Sequence, residues 1–411
     1  MSSSWSTIMA LTTTILFATS SQAQDWPQWR GPNRDGKAPG VASVWPKNLK
    51  EEWRVTVGIG HSSPVVANGS IYVFARQGEE EVLLCLDAVA GKELWRASQP
   101  ISYQMHPAAT GHGKGPKSTP VVSNGNVFTF GISGVLSGYN ARTGRLKWRH
   151  EFTKQYPNTS PLYGTAMSPV VDNGVLIAHV GGHNKGALTA FDVETGAVKW
   201  SNDMDGPAYS SPIIVTLAGV RQVVTLMQKD LVGVDAATGK LLWKLPQKSE
   251  YDENSVTPVA YKDMLIFSKE ERGLTAIRLV RQGPEIVPQE VWSSKENLLF
   301  FSSPVLQENM LFGFSVFKKG QFFALDADTG KTLWQSAGRM GENAAILNLG
   351  GSIFLALTND ANLIVLPVNA KEYAPAAQYT VANSPTWAHP VLIGNRILIK
   401  DETTLRSLKV Q

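Results

Sequence analysis

The sequence predicts an all-β fold: an eight-bladed β-propeller of four-stranded antiparallel blades, its ring closed by an N-terminal strand that joins the C-terminal blade. Three observations support this prediction. A short element ending in proline and aliphatic residues recurs at intervals of about 45 residues, the length of a four-stranded blade. A second signature of Asp or Asn, Gly and Trp recurs at fixed spacing. Helical periodicity is absent along the chain.

The first element predicts the start of the innermost strand of each blade. A small residue precedes the proline in most copies, and proline is tolerated at the first residue of a strand. Small residues at this position suit a crowded central channel. Residues 343–347 form a degenerate copy without the proline. The clear copies are centred on Pro64, Pro120, Pro169, Pro212, Pro258, Pro304 and Pro390.

The second signature predicts the turn before the outermost strand. An Asp or Asn side chain can accept hydrogen bonds from the turn backbone, and glycine supplies a positive φ. The tryptophan that follows is expected to pack between neighbouring sheets. Trp292 closes the fifth repeat after an altered turn, and Tyr379 replaces the seventh tryptophan. The five regular copies run from Asp87 to Trp95, Asn140 to Trp148, Asp192 to Trp200, Asp235 to Trp243 and Asp326 to Trp334.

The two ends of the chain complement each other. Residues 388–410 supply three strands of a last blade, whereas residues 49–57 carry a tryptophan with no strands before it. We therefore expect residues 49–57 to complete the last blade, which removes free sheet edges. The predicted organisation is a signal peptide over residues 1–23, an N-terminal arm over 24–48 and one propeller domain over 49–411.

The N-terminus resembles an export signal. An apolar and threonine-rich stretch over residues 8–19 is too short to span a bilayer, and Ser21-Gln22-Ala23 has small residues where a signal peptidase reads. Cleavage near Ala23 predicts a periplasmic or secreted protein. No cysteine lies near this site to carry a lipid, and no later stretch is long and apolar enough to cross a membrane. We expect a soluble monomer.

Composition excludes several function classes. The 38 Lys and Arg residues against 34 Asp and Glu give a net charge of +4, too dilute over this length to indicate a nucleic-acid partner. The single cysteine, Cys85, lies in an apolar run and excludes an intrachain disulfide, a CxxCH haem site and a thiolate metal cluster.

The repeat resembles that of the PQQ-like (pyrroloquinoline-quinone repeat) propellers, and the resemblance covers nearly the whole predicted mature chain. It is carried by the Asp-x-x-Thr-Gly-x-x-x-Trp signature and by an opening segment, residues 25–34, similar to the start of many exported bacterial members. The resemblance implies the fold but not the chemistry. Two branches are open: quinoprotein dehydrogenases, and non-catalytic relatives such as the propeller protein of the outer-membrane β-barrel assembly machinery.

Candidate ligand-binding residues concentrate in the loops of the upper face, which we define as the face where the innermost strands begin. Long, variable loops on a rigid scaffold are where binding residues usually lie. Histidines with nearby lysines could receive an anionic ligand, although no tight spacing predicts a metal site. The candidates are His61, His106, His112, Lys114, His183 and His389.

An acidic sector offers the alternative function. The resemblance to dehydrogenases implies an Asp base and a Ca²⁺ held by Glu and Asn oxygens beside PQQ, and Asp252, Glu253 and Asn254 supply those residue types. The absence of paired cysteines and of long inserts argues against a dehydrogenase. The leading hypothesis is a non-enzymatic scaffold without a cofactor, which binds an envelope protein or a small ligand at its upper face. A hydrolase or a carbohydrate-binding module is a third option.

Overall fold

Eight separate four-stranded antiparallel sheets form the fold, which confirms the predicted propeller. The computed structural model describes residues 25–38, 45–247, 249, 253–269, 273–350, 353–369 and 371–410. The predicted signal peptide lies outside these residues. In seven blades the four strands follow one another along the chain, and in the eighth the last three strands pair with the first strand of the chain.

The first half of the ring contains four blades. The strand that later completes blade 8 is β1, Lys50–Thr56. Blade 1 contains β2 Val65–Ala67, β3 Ser70–Gln77, β4 Glu80–Asp87 and β5 Glu93–Pro100. Blade 2 contains β6 Val121–Ser123, β7 Asn126–Phe130, β8 Leu136–Asn140 and β9 Leu146–His150. Blade 3 contains β10 Val170–Asp172, β11 Val175–Gly182, β12 Lys185–Asp192 and β13 Val198–Met204. Blade 4 contains β14 Ile213–Leu217, β15 Val220–Leu226, β16 Asp230–Asp235 and β17 Leu241–Pro246.

The second half follows the same pattern. Blade 5 contains β18 Val259–Tyr261, β19 Met264–Lys269, β20 Gly273–Gln282 and β21 Glu285–Ser294. Blade 6 contains β22 Val305–Gln307, β23 Met310–Ser315, β24 Gln321–Asp326 and β25 Thr332–Gln335. Blade 7 contains β26 Ala344–Asn348, β27 Ile353–Thr358, β28 Asn362–Pro367 and β29 Ala377–Thr380. Blade 8 contains β30 Val391–Ile393, β31 Arg396–Lys400 and β32 Thr404–Lys409, with β1 as its outermost strand.

Among the residues that the structure describes, helical structure is limited to three short 3-10 segments, which lie in loops: Pro107–His112, Phe152–Lys154 and Phe317–Lys319. No helix within the described residues combines the length and the apolar character that crossing a membrane requires.

The ring closes as the sequence predicted. Strand β1 pairs antiparallel with β32, from Lys50 opposite Lys409 to Thr56 opposite Thr404, with a bulge between Glu51 and Trp53. A salt bridge of 2.5 Å from Arg396 to Glu52 adds a second link between the ends of the chain.

The turns have the chemistry that their residues predict. Asn68, Asn124 and Asn173 adopt positive φ before glycine, as a tight turn with the twist of a hairpin requires. In the other turn, the Asp87 carboxylate accepts hydrogen bonds from the backbone N–H groups of Val89 and Ala90, at 3.0 and 2.7 Å.

The hydrophobic core lies between the blades rather than at the ring axis. Every neighbouring pair of blades shares one cluster of buried side chains, and one of these clusters joins blades 7, 8 and 1. The indole N–H of Trp95 reaches across to the carbonyl oxygen of Ala141 in the next blade at 3.1 Å. A Cβ atom at Gly144 would lie 2.5 Å from that indole. The glycine of the signature in one blade therefore leaves space for the signature tryptophan of the blade before it.

Candidate functional site

A cavity of about 340 Å³ opens at the upper face, over the ring axis. We call it the cup. Four upper loops contribute to its wall: His112 comes from the loop before blade 2, Tyr163 from that before blade 3, Glu253 from that before blade 5 and Phe301 from that before blade 6. Concave sites with apolar walls and a few polar groups are typical ligand sites.

The floor of the cup is a ring of hydroxyl groups from the Ser/Thr-Pro elements. Each hydroxyl accepts a hydrogen bond from a backbone N–H group of the adjacent blade, and these bonds run in one direction from blade 8 to blade 6. The bonds link His389 to Ser63, Ser63 to Thr119, Thr119 to Ser168, Ser168 to Ser211, Ser211 to Thr257 and Thr257 to Ser303, at 2.8 to 3.1 Å. The hydroxyls therefore fasten the inner strands of neighbouring blades together.

The N-terminal arm closes the channel below this ring. Trp26 is buried and exchanges backbone hydrogen bonds with Val66, at 2.8 Å each. Arg34 donates from its two terminal nitrogens to the carbonyl oxygens of Ser168 and Pro169, at 2.8 and 2.9 Å. Arg30 donates to the carbonyl oxygen of Pro304 on the far side of the ring. The arm therefore spans the channel beneath the hydroxyl ring, and its Trp29 lines the cup.

One wall of the cup is aromatic and centres on Trp387. The His61 ring stacks on this indole with centroids 5.3 Å apart and planes at 10°. His112 and Phe301 meet the same indole edge-on, at 4.8 and 5.8 Å. Beside them, Phe300 and Phe301 are 36% and 43% exposed. The wall thus continues to the mouth of the cup as an exposed apolar patch. We call this patch, Phe300 and Phe301, the rim.

Burial sets the protonation of the basic groups in the cup. Burial lowers the pKa of Lys117 to about 8, which leaves its ammonium charged at neutral pH. Burial, reinforced by the charge of Lys117, holds the pKa of His61 well below its usual range, and the same two causes lower the pKa of His112. Burial also lowers the pKa of His389 to about 3. The three imidazoles are therefore neutral at pH 7 and offer both a donor and an acceptor.

The structure brings three of the six ligand-binding candidates together. His61, His112 and His389 line the cup. His106 does not line the cup, but its ring lies edge-on to that of Tyr163, with centroids 5.2 Å apart. His183 lies apart in the loop between β11 and β12, where its Nδ1 pairs with Gln228 at 3.0 Å, and Lys114 is exposed outside the cup.

Residues 79–336, more than half of the chain, match the family described as outer membrane protein assembly factor BamB. This chain belongs to that family. The BamB of Yersinia pestis is 24% identical to it over 372 residues, which cover 85% of each chain. The solved BamB structure from Moraxella catarrhalis has a TM-score of 0.63 to this BamB-family chain at 14% identity, covering 88% of this chain and 100% of that one.

Quinoprotein dehydrogenases are also similar to this BamB-family chain. The quinohemoprotein alcohol dehydrogenase ADH-IIG of Pseudomonas putida is 26% identical over 148 residues, covering 34% of this chain but only 19% of the enzyme. The solved structure of ADHIIG from Pseudomonas putida HK5 has a TM-score of 0.67 at 13% identity, over 94% of this chain and 80% of that one. At such identities the structural likeness shows the fold alone.

Of the three acidic candidates, the described residues include Glu253 and Asn254. Asp252 lies outside those residues. The Asn254 amide nitrogen donates to the backbone carbonyl oxygens of Met227, Gln228 and Gln247, at 2.7 to 3.1 Å, so this side chain anchors its own loop. Glu253 lines the cup. No group of three or more His, Cys, Asp or Glu side chains that could hold a metal occurs in the part of the chain that the structure describes.

The sequence analysis selected His61 and His112 but not Trp387 or Phe301 of the aromatic wall, although the repeat register contains a signal for them. The residue three positions before each repeat proline lines the cup in all seven clear copies. These residues are His61, Lys117, Ala166, Tyr209, Ser255, Phe301 and Trp387. The prolines and most of the hydroxyl residues recur in the clear copies of the repeat because the fold needs them. The residue three positions before the proline differs from copy to copy, which indicates that the fold leaves this position free for binding.

Proposed function

We propose that this BamB-family propeller is a binding scaffold of the cell envelope, and that its cup receives a segment of a partner protein. The observation that carries the proposal is the continuity of the aromatic wall with the exposed rim. An apolar patch at the mouth of a concave site is typical of a surface that a protein partner covers. Family membership and the similarity to the Yersinia pestis assembly factor over 85% of the chain support an envelope role.

The dimensions and chemistry of the cup suit a short polypeptide segment. A volume of about 340 Å³ holds a few side chains but not a folded domain, so the partner would insert a loop or an extended end. Aromatic and imidazole rings would pack against its side chains, since buried aromatic anchors dominate the energy of most interfaces. The neutral imidazoles would pair with its backbone groups.

Photocrosslinking in the native cells tests this proposal. A photoreactive phenylalanine analogue placed at Phe301 is expected to crosslink a defined set of envelope proteins. The crosslinks are expected to disappear in Trp387→Ala, because this substitution removes the indole at the centre of the aromatic wall. The matched control carries the same analogue at Val198, which is 55% exposed on the outer strand of blade 3.

The competing outcome is enzymatic. Purified protein would be given PQQ with Ca²⁺ and assayed for dye-linked oxidation of alcohols and sugars. Turnover that depends on Glu253, together with crosslinks no different at Phe301 and Val198, would overturn the scaffold proposal in favour of a quinoprotein.

A further inference from the structure

We propose that the cup recognises a carboxylate on the inserted segment, an Asp or Glu side chain, through the ammonium group of Lys117. The inference rests on the proposed function, because it names the chemistry of the segment that the cup receives. It follows from an unbalanced charge in a concave site rather than from the aromatic wall.

The hydrogen bonding of Lys117 is incomplete. Its ammonium donates to the carbonyl oxygen of Tyr163 at 2.6 Å, and no carboxylate lies within 4 Å of it among the described residues. A lysine ammonium has three donors, so two remain for a partner in the cup. A partly buried cation without a counter-ion costs free energy that a bound carboxylate would recover.

The second buried lysine shows what a purely structural ammonium looks like in this fold. Lys400 is 1% exposed, and its ammonium donates to the carbonyl oxygens of Gly60, Asp401 and Glu402, at 2.6, 3.1 and 3.3 Å. All three of its donors are used. The contrast indicates that Lys117 retains donors for a group that the chain itself does not supply.

The surroundings of Lys117 suit a carboxylate on an apolar stem. His61 and His112 are close enough to Lys117 for its charge to affect both, and each can donate one N–H to a second carboxylate oxygen. His389 also lines the cup, and its Nδ1 is buried there without a hydrogen-bond partner in the described part of the chain. The methylene groups of the acidic side chain would lie against Trp387.

Two carboxylates, Glu253 and Glu342, lie at or near the cup, and neither forms a salt bridge with Lys117. Glu253 precedes blade 5, whereas Lys117 precedes blade 2, three blades away around the ring. Glu342 acts on His112 from the blade 7 side. The sector formed by Lys117, His61 and Trp387 therefore has a positive charge and an apolar surface, which is the combination that an acidic side chain next to apolar residues matches.

Two blocked tripeptides test the proposal by calorimetry on the full mature chain. The probes are acetyl-Phe-Glu-Phe-amide and acetyl-Phe-Gln-Phe-amide, which differ in one charge. We expect the Glu peptide to bind at least about tenfold more tightly, a ratio typical of a charged hydrogen bond in a partly buried site. Lys117→Met is expected to abolish the preference and Lys117→Arg to retain most of it. Lys114→Met, in the same loop but outside the cup, is the matched control.

The outcomes separate this inference from the proposed function. Equal binding of the two peptides, binding of neither at 10 mM (about the weakest level worth detecting), or a preference that survives Lys117→Met would overturn the carboxylate proposal. Crosslinks at Phe301 would leave the scaffold standing in each of those cases. Calcium-dependent PQQ binding with alcohol oxidation would instead overturn both, because the cup would then hold a small-molecule carboxylate.

Discussion

The indole of Trp29 lies edge-on against the imidazole of His389, with ring centroids 5.6 Å apart and planes at 67°. Trp29 belongs to the N-terminal arm and His389 opens the eighth blade, so this contact joins the arm to the floor of the cup. The guanidinium carbons of Arg30 and Arg34 lie 5.5 and 5.6 Å from the same indole, within the range of cation–π attraction. The shape of the cup therefore depends on residues that precede the propeller.

Removing Arg34 tests the structural role of the arm. Arg34→Ala is expected to lower the free energy of unfolding by about 2 to 4 kcal/mol, because two inner-strand carbonyl oxygens lose a charged donor and a cavity is left in the channel. Urea unfolding followed by circular dichroism measures the change. Arg54→Ala is the control, because that side chain is 65% exposed and its salt bridge is on the surface, where such pairs contribute little. Equal losses in the two variants would contradict the role given to the arm.

The signature glycine allows a matched test of packing between blades. Gly144 and Gly125 have nearly the same positive φ, 70° and 72°. A Cβ atom at Gly144 would lie 2.5 Å from the Trp95 ring, whereas nothing lies within 4 Å of one at Gly125. Both alanine substitutions carry the cost of a positive φ, about 1 kcal/mol.

Gly144→Ala is expected to lower the free energy of unfolding by about 1 to 3 kcal/mol more than Gly125→Ala does, because the Trp95 ring must move to make room for the new Cβ atom. Thermal unfolding of the two variants side by side gives the difference. Similar melting temperatures would mean that the indole can shift without loss, and that the spacing of the signature has another cause.

The sequence repeats predict this fold because each blade contains the same local sequence signals. The Asp87 turn, the Pro64 strand start and Trp95 are each readable within one repeat, and the blades then have only one way to bury their faces. Ring closure was also predictable, because an unmatched strand near Trp53 complements a last blade that lacks one. Local signals repeated many times make the architecture easier to predict than any single element.

The cup was harder to predict, because its residues meet only after the ring closes. Trp29 and Trp387 are far apart in sequence, and the arm gives no repeat signal that would place it inside the channel. His183 and Lys114 are in upper loops as expected, but distance from the ring axis, which the sequence does not give, decides which loop residues face inward. The position three residues before each proline would have selected Lys117 and Trp387.

The buried ammonium group of Lys117, which we propose binds a carboxylate, is expected to lower the free energy of unfolding. The folded state lowers its pKa from 10.5 to about 8, so between these values the unfolded chain binds the extra proton and stability rises with pH. Below pH 8 the full cost of the buried charge is present. Lys117→Met is therefore expected to be more stable at pH 7 by about 1 to 3 kcal/mol, with a smaller gain at pH 10.

Urea unfolding of wild type, Lys117→Met and Lys114→Met at both pH values measures this effect. Lys114 is exposed, so its variant is expected to match the wild type. A Lys117→Met protein less stable than the wild type at pH 7 would indicate that the hydrogen bond to Tyr163 outweighs the cost of burial.

Glu81 predicts a separate dependence of stability on pH. It is 1% exposed in blade 1 and accepts a hydrogen bond of 2.7 Å from the backbone N–H of Ile132 in blade 2. Burial raises the pKa of Glu81 from 4.5 to about 7, against the opposing effects of the Ile132 and Gln99 hydrogen bonds and of the Arg76 charge. Between pH 4.5 and 7 the folded state holds a proton that the unfolded chain releases. This carboxyl group therefore makes the free energy of unfolding fall as pH rises through that window, by about 3 kcal/mol in total.

Glu81→Gln is expected to remove this slope, because the amide keeps an acceptor for Ile132 and carries no charge at any pH. Buried histidines such as His179, whose pKa burial lowers to about 4, act in the opposite direction, since stability rises as pH passes from 4 to 6.5. The informative quantity is thus the difference between variant and wild type in urea unfolding at pH 5, 6, 7 and 8, which should widen in favour of the variant. The control is Glu93→Gln. Arg96 holds the pKa of Glu93 below its usual range, so Glu93 titrates at a lower pH than the window from 4.5 to 7. A constant difference for Glu81→Gln would mean that the carboxylate is already charged at pH 5, and that the hydrogen bond to Ile132 dominates its burial.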